Sequence, residues 1–278
     1  MENSGQRFGG DWTVIKLDKV EKYLDAYTTA LKRVKFKLCY IDAFAGNGAV
    51  KLNDLESTDG SALRALKYPF DRFYYIDCKQ ENCQKLDEIR KRYPDREIYI
   101  DCCDSNDALS TIHQYDWIRN GWRGVIFLDP YAMDLDWASL ENIAKTEAFD
   151  VWYLFPLSAL LRNLANDSGA IKDSNFETIT RFLGTDEWYS TLYRPYSFHQ
   201  TSFFNDEDDE ETLKRVGADH VIEYILKRLG TLFTVSDTPL ILRNGRNSPL
   251  FLLCFMVSSK NSRAIEIAMR IARHILTH

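Results

Sequence analysis

The sequence predicts an α/β fold with a mostly parallel sheet and helices on both faces. Five apolar runs carry the prediction: KLCYIDAF, DRFYYIDC, REIYIDCC, RGVIFLDP and FDVWYLFP. Helix-like runs separate them, namely SALRALKY, QENCQKLDEIRKRY, SNDALSTIHQYDWI and DWASLENIAKT. Continuous apolar strands alternating with helices read as βαβ units whose sheet is buried on both sides. Four of the five strands end in, or run into, an acid: Asp42, Asp77, Asp101 and Asp129. Ligands of open α/β sheets bind at the carboxyl ends of strands, so these acids gather where a ligand is expected. A chain of 278 residues with 45% hydrophobic content is long enough to bury such a sheet as one domain, residues 1–278.

The chain is expected to open with a helix over about 12–34, where Val20, Tyr23, Leu24, Tyr27 and Leu31 recur at three- and four-residue spacing. Lys32, Arg33, Lys35 and Lys37 follow, suiting a helix C-terminus better than a nucleic-acid patch. After Pro156 the rhythm breaks. Residues 157–215 read as a helical and loop insertion, with the acidic run NDEDDEE as a solvated loop. A helix (HVIEYILKRLG) comes next. TPLILRN and PLFLLCFMVSS, joined by GRNS, then read as an antiparallel hairpin at a sheet edge, and SRAIEIAMRIARHIL closes the chain as a helix.

The net charge of −6 supplies no overall field toward nucleic acid, although Lys16, Arg90, Lys91, Arg92, Arg119, Arg123, Arg243 and Arg246 offer material for a local phosphate-binding surface. The six cysteines, Cys39, Cys78, Cys83, Cys102, Cys103 and Cys254, form no CxxC pair and read as buried free thiols of a reducing compartment rather than a zinc site. No apolar run is long enough for a membrane span and no signal core opens the chain, so a cytoplasmic location is expected.

The chemistry concentrates at strand ends. CYIDAFAGNG puts Asp42 at the first, with Phe44, Ala45, Gly46 and Gly48 forming a tight turn that lets backbone approach a ligand. The carboxylate suits a ligand amino group or its water shell; a tight turn without ligand is the alternative. Gly60 and Ser61 start the next helix and offer N–H groups to a carboxylate, or serve as an ordinary cap. Asp77 stands where dinucleotide folds hold ribose hydroxyls. Asp104 and Ser105 follow the third strand, where Asp104 reads as an adenine contact or a helix cap, or both. In VIFLDPYAM, Asp129 and the backbone beside Pro130 can accept hydrogen bonds from an amine, and Tyr131 presents a flat face for stacking. A methylated base would have to leave its stack to reach such a pocket.

These residues resemble class I S-adenosylmethionine (SAM)-dependent methyltransferases. More closely, the chain resembles the three-Cys-motif partner protein family (TcmP). The matching pieces are W-T-x-x-K-L at 12–17, Y-I-D-A-F-A-G-N-G at 40–48, G-S at 60–61, D-S-N at 104–106, L-D-P-Y-A-M at 128–133 and N-x-x-P-L-F-L at 247–253. The resemblance implies a Rossmann-like sheet of seven strands with the last inserted antiparallel. It also implies S-adenosyl-L-methionine at Asp42, Gly46, Gly48, Asp77 and Asp104, and a partner bearing a three-cysteine motif. Amino methyltransferases of nucleic acids usually carry two prolines before the aromatic; here only Pro130 precedes Tyr131. The sequence therefore supports a methyltransferase acting on an exocyclic amine of nucleic acid. Two alternatives stand beside it: a non-catalytic SAM-binding module, and a metal-dependent nuclease using Asp101, Asp104, Asp129, Asp134 and Asp136.

Overall fold

The structure, a computed structural model, describes residues 11–51, 57–195 and 213–278. The NDEDDEE run lies outside them. In chain order the first half comprises α1 (Asp11–Leu31), β1 (Lys37–Asp42), β2 (Ala49–Lys51), β3 (Ser57–Asp59), α2 (Ser61–Ala65), β4 (Arg72–Ile76), α3 (Gln80–Arg92), β5 (Glu97–Asp101) and α4 (Ser105–Ser110). Then come β6 (Trp122–Leu128), α5 (Trp137–Lys145), β7 (Phe149–Phe155), α6 (Leu157–Asn163), α7 (Asp173–Leu183), α8 (Trp188–Leu192), β8 (Tyr193–Pro195) and β9 (Leu213–Arg215). The chain closes with α9 (Ala218–Leu229), β10 (Thr234–Val235), β11 (Leu240–Arg243), β12 (Pro249–Val257) and α10 (Ser262–Thr277).

The main sheet runs β10-β12-β7-β6-β1-β4-β5, and β11 pairs with β12 beside β10. The five expected strands, β1, β4, β5, β6 and β7, are parallel to one another. β12 enters antiparallel between β7 and the β10/β11 edge, the inserted last strand that the resemblance implies. The sheet has eight strands rather than seven because β10 and β11 share that edge.

The centre of the sheet is buried on both faces, and β6 and β7 bury nearly every residue. One face packs against α1, α2, α3 and α10 through Leu17, Tyr23, Leu24, Leu86 and Ala272. The other packs against α4 to α9 through Leu109, Leu140, Leu160, Phe182 and Ile225. Each fully buried side chain of this size contributes about 1.5–3 kcal/mol. Tyr23 also donates to Asp150 in β7 (2.7 Å), fastening α1 to the sheet, and burial pushes the Asp150 carboxyl up to about 7.

Between Gly48 and Gly60, β2 and β3 pair as a two-stranded antiparallel ribbon. One expectation needs correction. The cysteines are not all buried free thiols, since Cys83 and Cys102 form a disulfide and Cys78 is exposed. Packing of α3 on β5 brings the Cα atoms of Cys83 and Cys102 to 6.0 Å, within bridging range, and no sequence spacing encodes that approach.

Candidate functional site

The carboxyl ends of β1, β4, β5 and β6 converge on one edge of the sheet. Asp42, the last residue of β1, is fully buried. Its Oδ1 has no hydrogen-bond partner, and Oδ2 meets the Tyr40 hydroxyl at 3.4 Å. Burial pushes the Asp42 carboxyl up to about 7, and the negative charge of Asp129 adds to the rise. The approach of the Ser61 hydroxyl, the Phe44 N–H and the Tyr40 hydroxyl acts in the opposite direction.

The loop after Asp42 is strapped from several sides. Ala43 N–H donates to Phe127 O (3.1 Å), Ala45 N–H to Ile76 O (2.9 Å) and Gly46 N–H to Asp77 Oδ2 (2.9 Å). The Ser105 hydroxyl donates to Ala43 O, and Gly60 N–H donates to Gly48 O (2.9 Å). Gly46 and Gly48 take φ of 60° and 76°, a region costly for residues with a Cβ. The two differ in surroundings. A Cβ on Gly48 would meet Ile89 Cδ1 at 2.3 Å, whereas one on Gly46 would have nothing within 4 Å. Glycine at 48 is favoured by its positive φ, with the Ile89 Cδ1 end having to move for any Cβ, and Gly46 has open space where a Cβ would stand.

Asp77 works first as an organiser. Besides Gly46, it accepts from Lys79 N–H (2.8 Å) and Asn82 Nδ2 (3.0 Å), both on Oδ1. One lone pair on Oδ2 then remains for a ligand hydroxyl. Asp104 is the N-cap of α4, accepting from Asn106 N–H (2.8 Å). Ser105 is buried and turned toward the β1 loop. Gly60 and Ser61 begin a helix of five residues, too short to offer much dipole to an anion.

The β6 end is built differently. Asp129 is ion-paired with Lys16, a buried lysine of α1. Lys16 Nζ lies 5.3 Å over the Trp12 ring, and Trp12 packs on Phe251 of β12 at 4.8 Å. Pieces of W-T-x-x-K-L, L-D-P-Y-A-M and N-x-x-P-L-F-L therefore meet at one place. Lys16 does not belong to a phosphate-binding surface; its charge faces inward. Arg90 and Lys91 pair with Asp87, and Arg123 lies over Phe36 at 4.5 Å, so these three do not act as free cations either.

Pro130 is buried and Tyr131 is 84% exposed, the most exposed large hydrophobic residue among the described residues. Ala132 follows at φ 49°, a strained conformation that turns the chain sharply behind the tyrosine. Asn106 braces this turn, with Nδ2 donating to Asp134 O and Oδ1 accepting from Asp136 N–H and the Ser139 hydroxyl, each at 2.8 Å. Asp136 pairs with Arg181. Among the described residues no group of three or more His, Cys, Asp or Glu side chains is placed to hold a metal ion. Of the five acids named for a nuclease, three are engaged separately: Asp104 caps α4, Asp129 pairs with Lys16 and Asp136 with Arg181.

Sequence reasoning missed the role of Lys16. The available signal was the i, i+4 spacing of Trp12 and Lys16, which puts both on one helix face. Its partner lies 113 residues away, beyond any local pattern.

No protein-family model and no curated protein matches the chain. Solved structures do. Protein LPL1258 from Legionella pneumophila, a DUF519 protein, aligns with a TM-score of 0.51 at 12% identity, covering 96% of this chain and 92% of that one. Trm1 from Pyrococcus horikoshii, in complex with S-adenosyl-L-methionine, aligns with a TM-score of 0.47 at 11% identity, covering 99% of this chain and 60% of that one. The first likeness extends over nearly the whole of both chains and shows a shared fold. No described helix is long and apolar enough to cross a membrane.

Proposed function

We propose that the chain is a SAM-dependent methyltransferase acting on an amine nitrogen. The observation that carries this reading is Asp42: a fully buried carboxylate at the end of β1, with one oxygen unpartnered, beside a loop left open at Gly46. A buried carboxylate without a partner is costly, and a ligand cation would offset that cost. The α-ammonium of SAM suits Asp42 directly or through water. The spare lone pair of Asp77 suits a ribose hydroxyl, and Asp104 with Ser105 suits the adenine. Gly46, Gly48, Gly60 and Ser61, with Phe44 and Ala45, shape the floor.

The bound cofactor supplies an electrophilic methyl group. The chain's own contribution is placement. The acceptor amine donates its N–H groups to Asp129 and to the backbone carbonyl beside Pro130, which turns the nitrogen lone pair toward the methyl carbon. Tyr131 stacks on the ring that bears the amine. Transfer to this amine would form the C–N bond as the donor gives up its C–S bond with the electron pair left on sulfur, and the amine held by Asp129 would release a proton to water. An exocyclic amine of a nucleic-acid base fits this arrangement, because Tyr131 is exposed enough to meet a base displaced from its stack.

The resemblance to the three-Cys-motif partner family adds a protein partner with that motif. Calorimetry with SAM, with and without such a partner, tests the cofactor. Transfer of labelled methyl groups to bulk RNA and DNA tests the reaction. Loss of transfer in Asp129→Ala with SAM still bound is expected. SAM binding with no transfer by the native chain to any acceptor, alone or with the partner, leaves a non-catalytic SAM-binding module; absence of SAM binding removes both readings.

A further inference from the structure

The Lys16–Asp129 ion pair adds something the proposed reaction does not by itself require. A carboxylate waiting for an acceptor amine would be expected to face solvent alone. Here the side chain of Lys16, 7% exposed, holds it from α1. The lysine cannot swing away. Its ammonium lies over Trp12, Trp12 rests on Phe251, and Leu17, Val20, Tyr23 and Leu24 bury the following turns of α1. The pair is a fixed part of the site floor. Asp42 lies opposite Phe127 on the adjacent strand β6, so Asp129 stands two residues beyond it at the same end of the sheet, and its charge reaches Asp42.

A charge at this position has a consequence that rests on the methyltransferase reading above. The sulfonium of SAM is positive, and its charge passes to the acceptor nitrogen as the methyl group leaves. A bare carboxylate beside the sulfur favours SAM over the neutral thioether product. We propose that Lys16 is a charge-setting residue: its ammonium cancels the pull of Asp129 on the sulfonium while leaving Asp129 Oδ1 to accept an acceptor N–H.

The test needs no acceptor. SAM and S-adenosylhomocysteine are titrated into the full-length chain, and the ratio of their dissociation constants is compared among variants. Lys16→Met exposes the carboxylate, so preference for SAM over S-adenosylhomocysteine rises roughly tenfold. Asp129→Asn leaves the ammonium alone, so that preference falls below the native value by a factor of a few. The double variant returns to within about twofold of native, which a merely structural role for Lys16 would not produce. If Lys16→Met fails to fold, Asp129→Asn carries the same test with opposite sign. Ratios that stay within about twofold of native in the single variants, with both ligands bound, overturn the role of Lys16 and leave the methyltransferase reading standing. A native chain that binds neither ligand overturns both.

Discussion

The two carboxylates at the ends of β1 and β6 sit on adjacent strands, yet they are handled in opposite ways. Asp42 is fully buried with an oxygen that meets nothing, and its carboxyl is pushed up to about 7. Asp129 is partly exposed and held by a lysine. The surroundings of Asp42 come from loops following β1, β4 and β5, tied together by Gly46, Asp77 and Ser105. Those of Asp129 come from α1, far away in sequence. One carboxylate is enclosed at the end of its own strand, and the other is tied to a lysine from a distant helix.

Substitutions at five positions can break or sharpen this contrast. The largest effect is expected at Asp42. Replacing it with Ala should weaken SAM binding about 100-fold by calorimetry, as expected for loss of a buried charge pair. The same change should leave the ligand-free melting temperature at pH 8 unchanged or higher, because it removes a poorly satisfied buried group. An equal loss of stability would mean Asp42 is structural.

The pH dependence has a definite sign. Asp42 and Asp150 both hold protons more tightly when folded, with values of about 7 against an unfolded value of about 4. Between those values the folded chain binds more protons, so stability falls as pH rises toward 7 and levels off above it. Melting scans at pH 5.5 and 8 read this directly, and Asp42→Asn should flatten part of the slope. SAM binding through ionised Asp42 should strengthen over the same window and release a proton, which titrations in buffers of different ionisation enthalpy detect.

Gly48→Ala comes next. Its Cβ would collide with Ile89 at positive φ, so a loss of about 2 kcal/mol in denaturant unfolding is expected. Gly46→Ala provides the contrast, with about 1 kcal/mol of stability lost but a larger fractional loss of SAM affinity. At the other strand end, Tyr131→Ala should lower methyl transfer about tenfold, mainly through KM, with stability unchanged, since stacking on one base is worth about 1–3 kcal/mol. The smallest effect belongs to Ala132→Gly. Relief of its positive φ and the added flexibility of glycine oppose each other, so stability should shift by less than about 1 kcal/mol. A large loss there would show that Ala132 makes contacts beyond its backbone.

The same contrast explains what was legible in the sequence. The five parallel strands were readable because each is a continuous apolar run, and Asp42, Asp77 and Asp129 because each follows such a run directly. The glycines were readable because a turn between strand and helix demands them. The grip of Lys16 on Asp129 and the Cys83–Cys102 bridge were not, since both depend on the tertiary packing of separate elements. The ribbon of β2 and β3 was missed because three-residue strands carry too little alternation to read. Asp77 was expected to meet ribose; its ties to Gly46, Lys79 and Asn82 follow from loop geometry that spacing does not specify.

The inserted strand β12 also sets a timetable. Helix α1 rests on the last part of the fold: Trp12 packs on Phe251, Tyr23 on Phe255, and Lys19 donates to the carbonyl of Ile275. A chain emerging from the ribosome can begin to pair β1 with β4 early, but α1 has no complete seat until β12 and α10 have been made. Contacts this distant in sequence close late. Pulsed hydrogen exchange during refolding should show amide protection of α1 arriving with β12 rather than with β1. Lys16 would then reach Asp129 only after β12 has joined the sheet, so the site assembles late although most of its residues are made early.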